Sequence, residues 1–248
     1  MTSPPSISRF LLLQRAGILA DFRDKGTTCL IATTPARLAR HSKEYSWSVS
    51  YLDGVKPTSA WVIQKPSCEP ELWVRANYRC YRRAFLRFLD QRYGLFGIEI
   101  PTCLQVDHLH PLSRFNNETN HYFVRLALVD RGINASYGAG FERLLYNRER
   151  ERELIGGVHM DWMAYLKTRS AHLPAKVGGV DSWKIWAWQC AISLTPDGFD
   201  TILTYVGLTT MLNLAFRDMW RPLPPHSSFR AEAEAHSSYV CAPQLTEV

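Results

Sequence analysis

The sequence predicts a mixed α+β fold in three parts: a small mixed N-terminal region, a central strand-loop-strand-helix unit and a helical C-terminal subdomain. Three observations predict it. Short β-branched and aromatic runs punctuated by Gly and Pro recur in the first part of the chain, and long segments of helical period lie near residue 85 and beyond residue 180. Between them, two apolar strand-like runs flank a polar loop and are followed at once by a helix start.

Taken in order, residues 8–22 carry an amphipathic helical pattern, and residues 27–33, 45–52 and 60–64 read as short strands. Residues 69–93 read as a helix that stops before Gly94, with Tyr81, Ala84, Phe85, Phe88 and Leu89 at helical spacing. Residues 98–112 read as two strands broken by a turn at Pro101. A polar loop over 113–120 and an apolar strand over 121–129 follow, and a turn at 130–134 leads into a helix running towards Glu153. Trp183, Trp186 and Trp188 crowd one short segment, and residues 201–220 form a nearly all-apolar helix ending before Pro222, expected in a core or at an interface. The expected organisation is thus 1–68 mixed, 69–98 basic helix, 99–156 central unit, 157–221 helical and 222–248 a loose tail.

Composition narrows the function. The 248 residues carry 29 Lys and Arg against 23 Asp and Glu, a net charge of +6. Residues 75–92 hold six arginines against Asp90 alone, so nearly all of that excess sits in one segment. On a helix, Arg75, Arg79, Arg82, Arg83 and Arg87 would share one side, a stripe suited to an anionic polymer. Six cysteines without a C-x-x-C pair give no support to a zinc ribbon or a thioredoxin-type site. G-x-S-x-G, H-E-x-x-H and P-loop patterns are absent, which removes the commonest esterase, zinc-protease and nucleotide-hydrolase readings. The longest uncharged run of the apolar C-terminal part, residues 201–216, is short for a membrane span, and the apolar run 10–13 is cut at once by Gln14 and Arg15. A cytoplasmic protein with no membrane partner is expected.

The central unit concentrates the chemistry. Hydrolysis of a phosphodiester needs a base for water and a cation to neutralise the scissile phosphate. His108 offers a neutral imidazole, while Asp107 and Asn134 offer a carboxylate and an amide oxygen, donors that suit Mg²⁺ or Mn²⁺. Neighbours on a strand point to opposite faces, so Asp107 and His108 can address one centre only where the strand is distorted. His110, two residues on, is an accessory candidate for metal, phosphate or plain packing. Tyr137 and Arg143 are accessory candidates for phosphate contact.

The run Val106-Asp107-His108-Leu109-His110-Pro111-Leu112-Ser113 resembles the V-D-H-x-x-P-x-S start of HNH endonucleases, in particular the HNH domain of the CRISPR effector nucleases. The resemblance covers about residues 99–150 and implies a ββα-metal finger. By that resemblance Asp107 is a metal ligand, His108 the general base, Asn120 the brace before the second strand, and Asn134 the final ligand on the helix. The zinc-knuckle cysteines of many HNH proteins are absent, and Asn stands at the last position where His is commoner. The function implied is a metal-dependent endonuclease on DNA, with Mg²⁺ as cofactor and Mn²⁺ as substitute. The alternative is a non-catalytic nucleic-acid-binding or partner-binding protein, such as a defence or toxin-type effector, that retains the scaffold. A homodimer or a protein partner would use the apolar C-terminal helices.

Overall fold

The structure, a computed structural model, describes residues 6–25, 29–66, 68–112, 121–139, 157–174 and 179–216. Helix α1 spans Ile7–Lys25, followed by β1 (Leu30–Thr33), α2 (Pro35–Glu44), β2 (Ser48–Ser50), β3 (Ala60–Gln64), β4 (Glu71–Arg75) and α3 (Tyr81–Tyr93). Strands β5 (Leu104–His108) and β6 (Phe123–Asp130) come next, then α4 (Arg131–Tyr137), β7 (Val158–His159), α5 (Trp162–Thr168), α6 (Gly179–Ser193) and α7 (Thr201–Phe216). The protein is therefore α+β, built on one antiparallel sheet in the order β2-β3-β4-β6-β1-β7, with β5 paired to β6.

Strand β6 organises the sheet. Its sequence Phe-Val-Arg-Leu-Ala-Leu-Val-Asp is buried from Phe123 through Val129, and it pairs with β4, β1 and β5. Beyond the reach of β1 and β4, the Gln14 side chain of α1 completes its backbone bonding. Gln14 Nε2 donates to the Leu128 carbonyl at 2.9 Å, and the Leu128 N–H donates to Gln14 Oε1 at 2.8 Å. An amide side chain thus supplies what a further strand would, so the buried N–H and C=O of Leu128 are both paired.

The two faces of the sheet bury different cores. On one face Leu72 and Val74 of β4, Val106 of β5, and Leu126 and Leu128 of β6 pack with Phe85, Phe88 and Leu89 of α3 and with Phe10 of α1. Phe10 meets Phe85 and Tyr93 edge-on, at centroid distances of 5.8 and 4.8 Å, the favoured geometry for aromatic quadrupoles. On the other face Ala127 and Val129 of β6 join Ile133 of α4, Leu166 of α5, Trp186 of α6 and Leu208 of α7. Helix α1 serves both, since Ile18 and Phe22 belong to this second core.

A closed electrostatic cluster lies inside that arrangement. Asp21 Oδ2 accepts from Lys65 Nζ at 2.7 Å, Arg125 Nη1 at 2.9 Å and Cys29 Sγ at 2.8 Å. Glu71 Oε1 lies 2.7 Å from Lys65 Nζ and 3.1 Å from Arg125 Nη2, and Trp73 Nε1 donates to Glu71 Oε2 at 3.0 Å. The two acids and two bases balance to zero, and their side chains are no more than 5% exposed. Burial alone would raise the pKa of Asp21, but the charges of Lys65 and Arg125 outweigh it and hold the carboxyl well below the ordinary range. Burial and the charge of Asp21 push the Cys29 thiol well up, so it stays protonated. Burying such a set costs several kcal/mol per ion unless every partner is present. The cluster therefore fixes how α1, β3, β4 and β6 meet.

Several expected elements change. The helix expected over 69–93 is two elements: Glu71–Arg75 is strand β4, and the helix begins only at Tyr81. Leu72 and Val74 alternate with Glu71, Trp73 and Arg75, and pairing on both sides with β3 and β6 overrides the helical reading of the arginine spacing. Helix α2 was not expected, although Thr34 caps it by accepting from the Arg37 N–H and Pro35 stands at its first turn. Residues 98–100 are not a strand. The strands of the sheet come from residues 30 through 159, so the N-terminal, basic and central segments and the start of the expected helical segment all contribute to one sheet. The expected tail over 222–248 lies outside the described residues. Among the described residues no helix is long and apolar enough to cross a membrane.

Candidate functional site

Strands β5 and β6 form a regular antiparallel pair, from Leu104 opposite Asp130 to His108 opposite Leu126. Helix α4 starts at Arg131 with no intervening turn, because Asp130 ends the strand and caps the helix, its Oδ1 accepting from the Ile133 N–H at 2.8 Å. That direct entry carries Asn134 over β5. Its Nδ2 donates to Asp107 Oδ1 at 3.2 Å, joining two side chains 27 residues apart. The turn expected at 130–134 is thus the first turn of the helix itself.

A third group completes this side. Helix α5 is capped by Asp161, whose Oδ1 accepts from the Ala164 N–H at 2.7 Å, and its last turn brings Lys167 Nζ to 2.8 Å from Asp107 Oδ2. Lys167 is 1% exposed and Asp107 20% exposed at the side chain, so the carboxylate sits at the rim and the ammonium beneath it.

His108 is not brought to that side. The β5–β6 register is undistorted through His108, so its ring points to the face that carries α3, away from Asp107. There it lies against Tyr81, with ring centroids 4.4 Å apart, and Arg82 stands over the other partner, 5.4 Å from the Tyr81 ring. Burial drives the His108 pKa down to about 4; the charge of Asp107 works against this, while Lys167 and Arg82 add to it. The imidazole is therefore neutral at physiological pH, and its buried Nε2 has no hydrogen-bond partner among the described residues.

The remaining candidates divide. Arg79, Arg82 and Arg83 are exposed around the start of α3, whose N-cap residue Cys80 makes no side-chain cap bond and whose first turn holds no acid. Arg87 is tied down, donating from Nη1 to the Asp53 carbonyl at 2.8 Å. Arg75 lies on β4 and faces the opposite side of the sheet from α3, so the stripe expected along one helix is split between two faces. Strand β5 ends at His108, so the alternation that would align His110 with His108 stops short, and His110 is a buried residue beyond the strand end. Tyr137 is 1% exposed and packs in the second core. Asn120 and Arg143 lie outside the described residues.

Among the described residues no group of three or more His, Cys, Asp and Glu side chains could hold a metal ion. Asp107 and Asn134 bring one carboxylate and one amide together, oxygen donors of the kind Mg²⁺ takes, although Asp107 Oδ1 is engaged by Asn134 Nδ2 and Oδ2 by Lys167 Nζ. The sequence pattern does not point to Lys167 or to a site position for Tyr81. A lone lysine in an apolar helix carries no sequence signal, and the helical spacing of Tyr81 points only to packing. Comparison with known proteins finds no matching family model, no matching curated protein and no matching solved structure.

Proposed function

We propose that the chain is a metal-dependent endonuclease of HNH type acting on DNA, with β5, β6 and α4 as its ββα-metal finger. The observation that carries this reading is the meeting of Asp107 and Asn134 across the strand-helix junction at 3.2 Å. A Mg²⁺ bound there would supply charge neutralisation at the scissile phosphate. Asp107 and Asn134 would hold it by their oxygens, Asn134 presenting its amide oxygen in place of the N–H it now donates. Lys167 would steady the carboxylate from below. His108, neutral and with a buried Nε2 that has no partner among the described residues, would accept the proton of the attacking water once substrate and water reach it. Since its ring lies on the other side of β5 from Asp107, the substrate strand would have to cross the end of β5 at His108 for both to reach one phosphate.

The exposed arginines support the same reading. Arg79, Arg82 and Arg83 surround the start of α3, where arginines oppose the helix dipole and cost about 0.3–1 kcal/mol unless an anion is present. A phosphate backbone would meet both the guanidinium groups and the open helix N-terminus. Tyr81 links that end of α3 to His108.

A second reading, a nucleic-acid-binding protein that keeps the finger as a scaffold, is favoured by one observation: the Asp107 carboxylate already has a cation in Lys167. Incubating supercoiled plasmid with the protein and Mg²⁺, with an EDTA control, separates the two. Metal-dependent nicking is the result for an endonuclease, and binding without nicking is the result for a scaffold.

A further inference from the structure

On the sheet face away from α3, a cavity of about 330 Å³ opens beside the ends of β3, β4 and β6. Its size lies at the lower end of small-ligand sites. Trp61 of β3 and Phe123 of β6 form its floor, with rings 4.9 Å apart, and Tyr51, half exposed, stands at its edge. The indole is held in place because Trp61 Nε1 donates to the Pro57 carbonyl at 2.7 Å. Arg75, directly opposite Phe123 across the β4–β6 ladder, also lines it, and its guanidinium makes no ion pair or hydrogen bond among the described residues. Pro35, the first residue of α2, closes one side and brings the positive end of that helix, which has no acid in its first turn, to the same cavity.

Three aromatic faces and one unpaired guanidinium complement a ligand with a flat, apolar, polarisable body and a negative charge at one end. We propose that this cavity holds a single unstacked nucleotide, its base against Tyr51, Trp61 and Phe123 and its phosphate on Arg75. Aromatic stacking with an arginine alongside is how proteins take unpaired bases without reading sequence. The strand as source of that nucleotide rests on the nucleic-acid reading given above. Phe123 and Ala127 lie on the same face of β6, four residues or about 13 Å apart, and Ala127 is the cross-strand partner of Asp107.

The test is binding of fluorescein-labelled oligothymidylate, followed by anisotropy in EDTA so that cleavage plays no part. Tyr51→Ala and Arg75→Gln alter exposed side chains and should leave the circular dichroism spectrum unchanged. Each is expected to weaken single-strand binding by about fivefold or more, the loss of one stacked base being worth ~1–3 kcal/mol, while duplex binding changes less than about twofold. Competition by thymidine monophosphate would assign the site to free nucleotides as well, and its failure would assign it to strands alone. Single-strand affinity retained in both variants, an equal loss on duplex, or no single-strand binding by the wild type overturns the proposal. An inactive nuclease that shows the expected losses would overturn the catalytic reading and leave the cavity assignment standing.

Discussion

Lys167 Nζ lies 2.8 Å from Asp107 Oδ2, so the carboxylate at the junction of β5, β6 and α4 rests on a buried cation of the chain's own. Two consequences follow from the asymmetry of burial. Lys167 needs Asp107 to remain charged at 1% exposure, whereas Asp107, at 20%, keeps an edge open to solvent. Lys167→Met should therefore destabilise the protein by about 1–3 kcal/mol, less than the ~3–5 kcal/mol of breaking a fully buried pair. It should also tighten Mn²⁺ binding at Asp107, because a competing ammonium has gone. Urea unfolding checks the first and calorimetry the second; unchanged Mn²⁺ affinity would mean that the ion and the ammonium use different edges of the carboxylate.

His108 should make stability depend on pH in a defined window. Its pKa is about 4 in the folded protein against about 6.5 in an unfolded chain. Between these values the unfolded state takes up a proton that the folded state refuses, so stability falls as pH drops from 6.5 to 4 and levels off below. The loss should approach about 3 kcal/mol. In EDTA, His108→Phe should flatten that segment of the stability profile measured by urea unfolding. A profile of equal slope in the variant would show that another group titrates there.

These two residues also mark how far the sequence could be read. Strand β3 and the apolar helix α7 follow from local pattern, and the strand-helix order around Asp107 was legible from alternation and the Asp130-Arg131-Gly132 start. Strand β4 was not, because the regular spacing of arginines from Arg75 onward mimics a helix face, whereas burial between β3 and β6 decides the segment. The Thr34-Pro35 pair is the local sequence signal for the start of α2. The charge cluster had none, since Asp21, Lys65, Glu71 and Arg125 have no common spacing and meet only through the sheet. For the site, Asp107 and Asn134 meet through a hydrogen bond, while Lys167 arrives from a helix 60 residues away and His108 obeys ordinary strand alternation.

The arginines around α3 should act through phosphate alone. Changing Arg79 and Arg83 together to Gln should weaken duplex binding about equally for all sequences and reduce the slope of log affinity against log salt by about 0.9 per lost contact. Arg87→Gln should change that slope little, because its guanidinium is engaged with the Asp53 carbonyl. Anisotropy titrations across a salt series provide the comparison. An unchanged slope in the double variant would remove the arginines from the interface.

The central claim is that Asp107, Asn134 and His108 serve one phosphodiester-cleaving site, and plasmid cleavage at saturating Mg²⁺ by the wild type and by the Asp107→Ala and His108→Ala variants tests it most directly. The account predicts Mg²⁺-dependent nicking by the wild type, with a loss of about 10²–10⁴ in rate for His108→Ala and a comparable or larger loss for Asp107→Ala, while both variants still bind DNA. Near-normal nicking by either variant, or no nicking by the wild type at any Mg²⁺ or Mn²⁺ concentration, would contradict it.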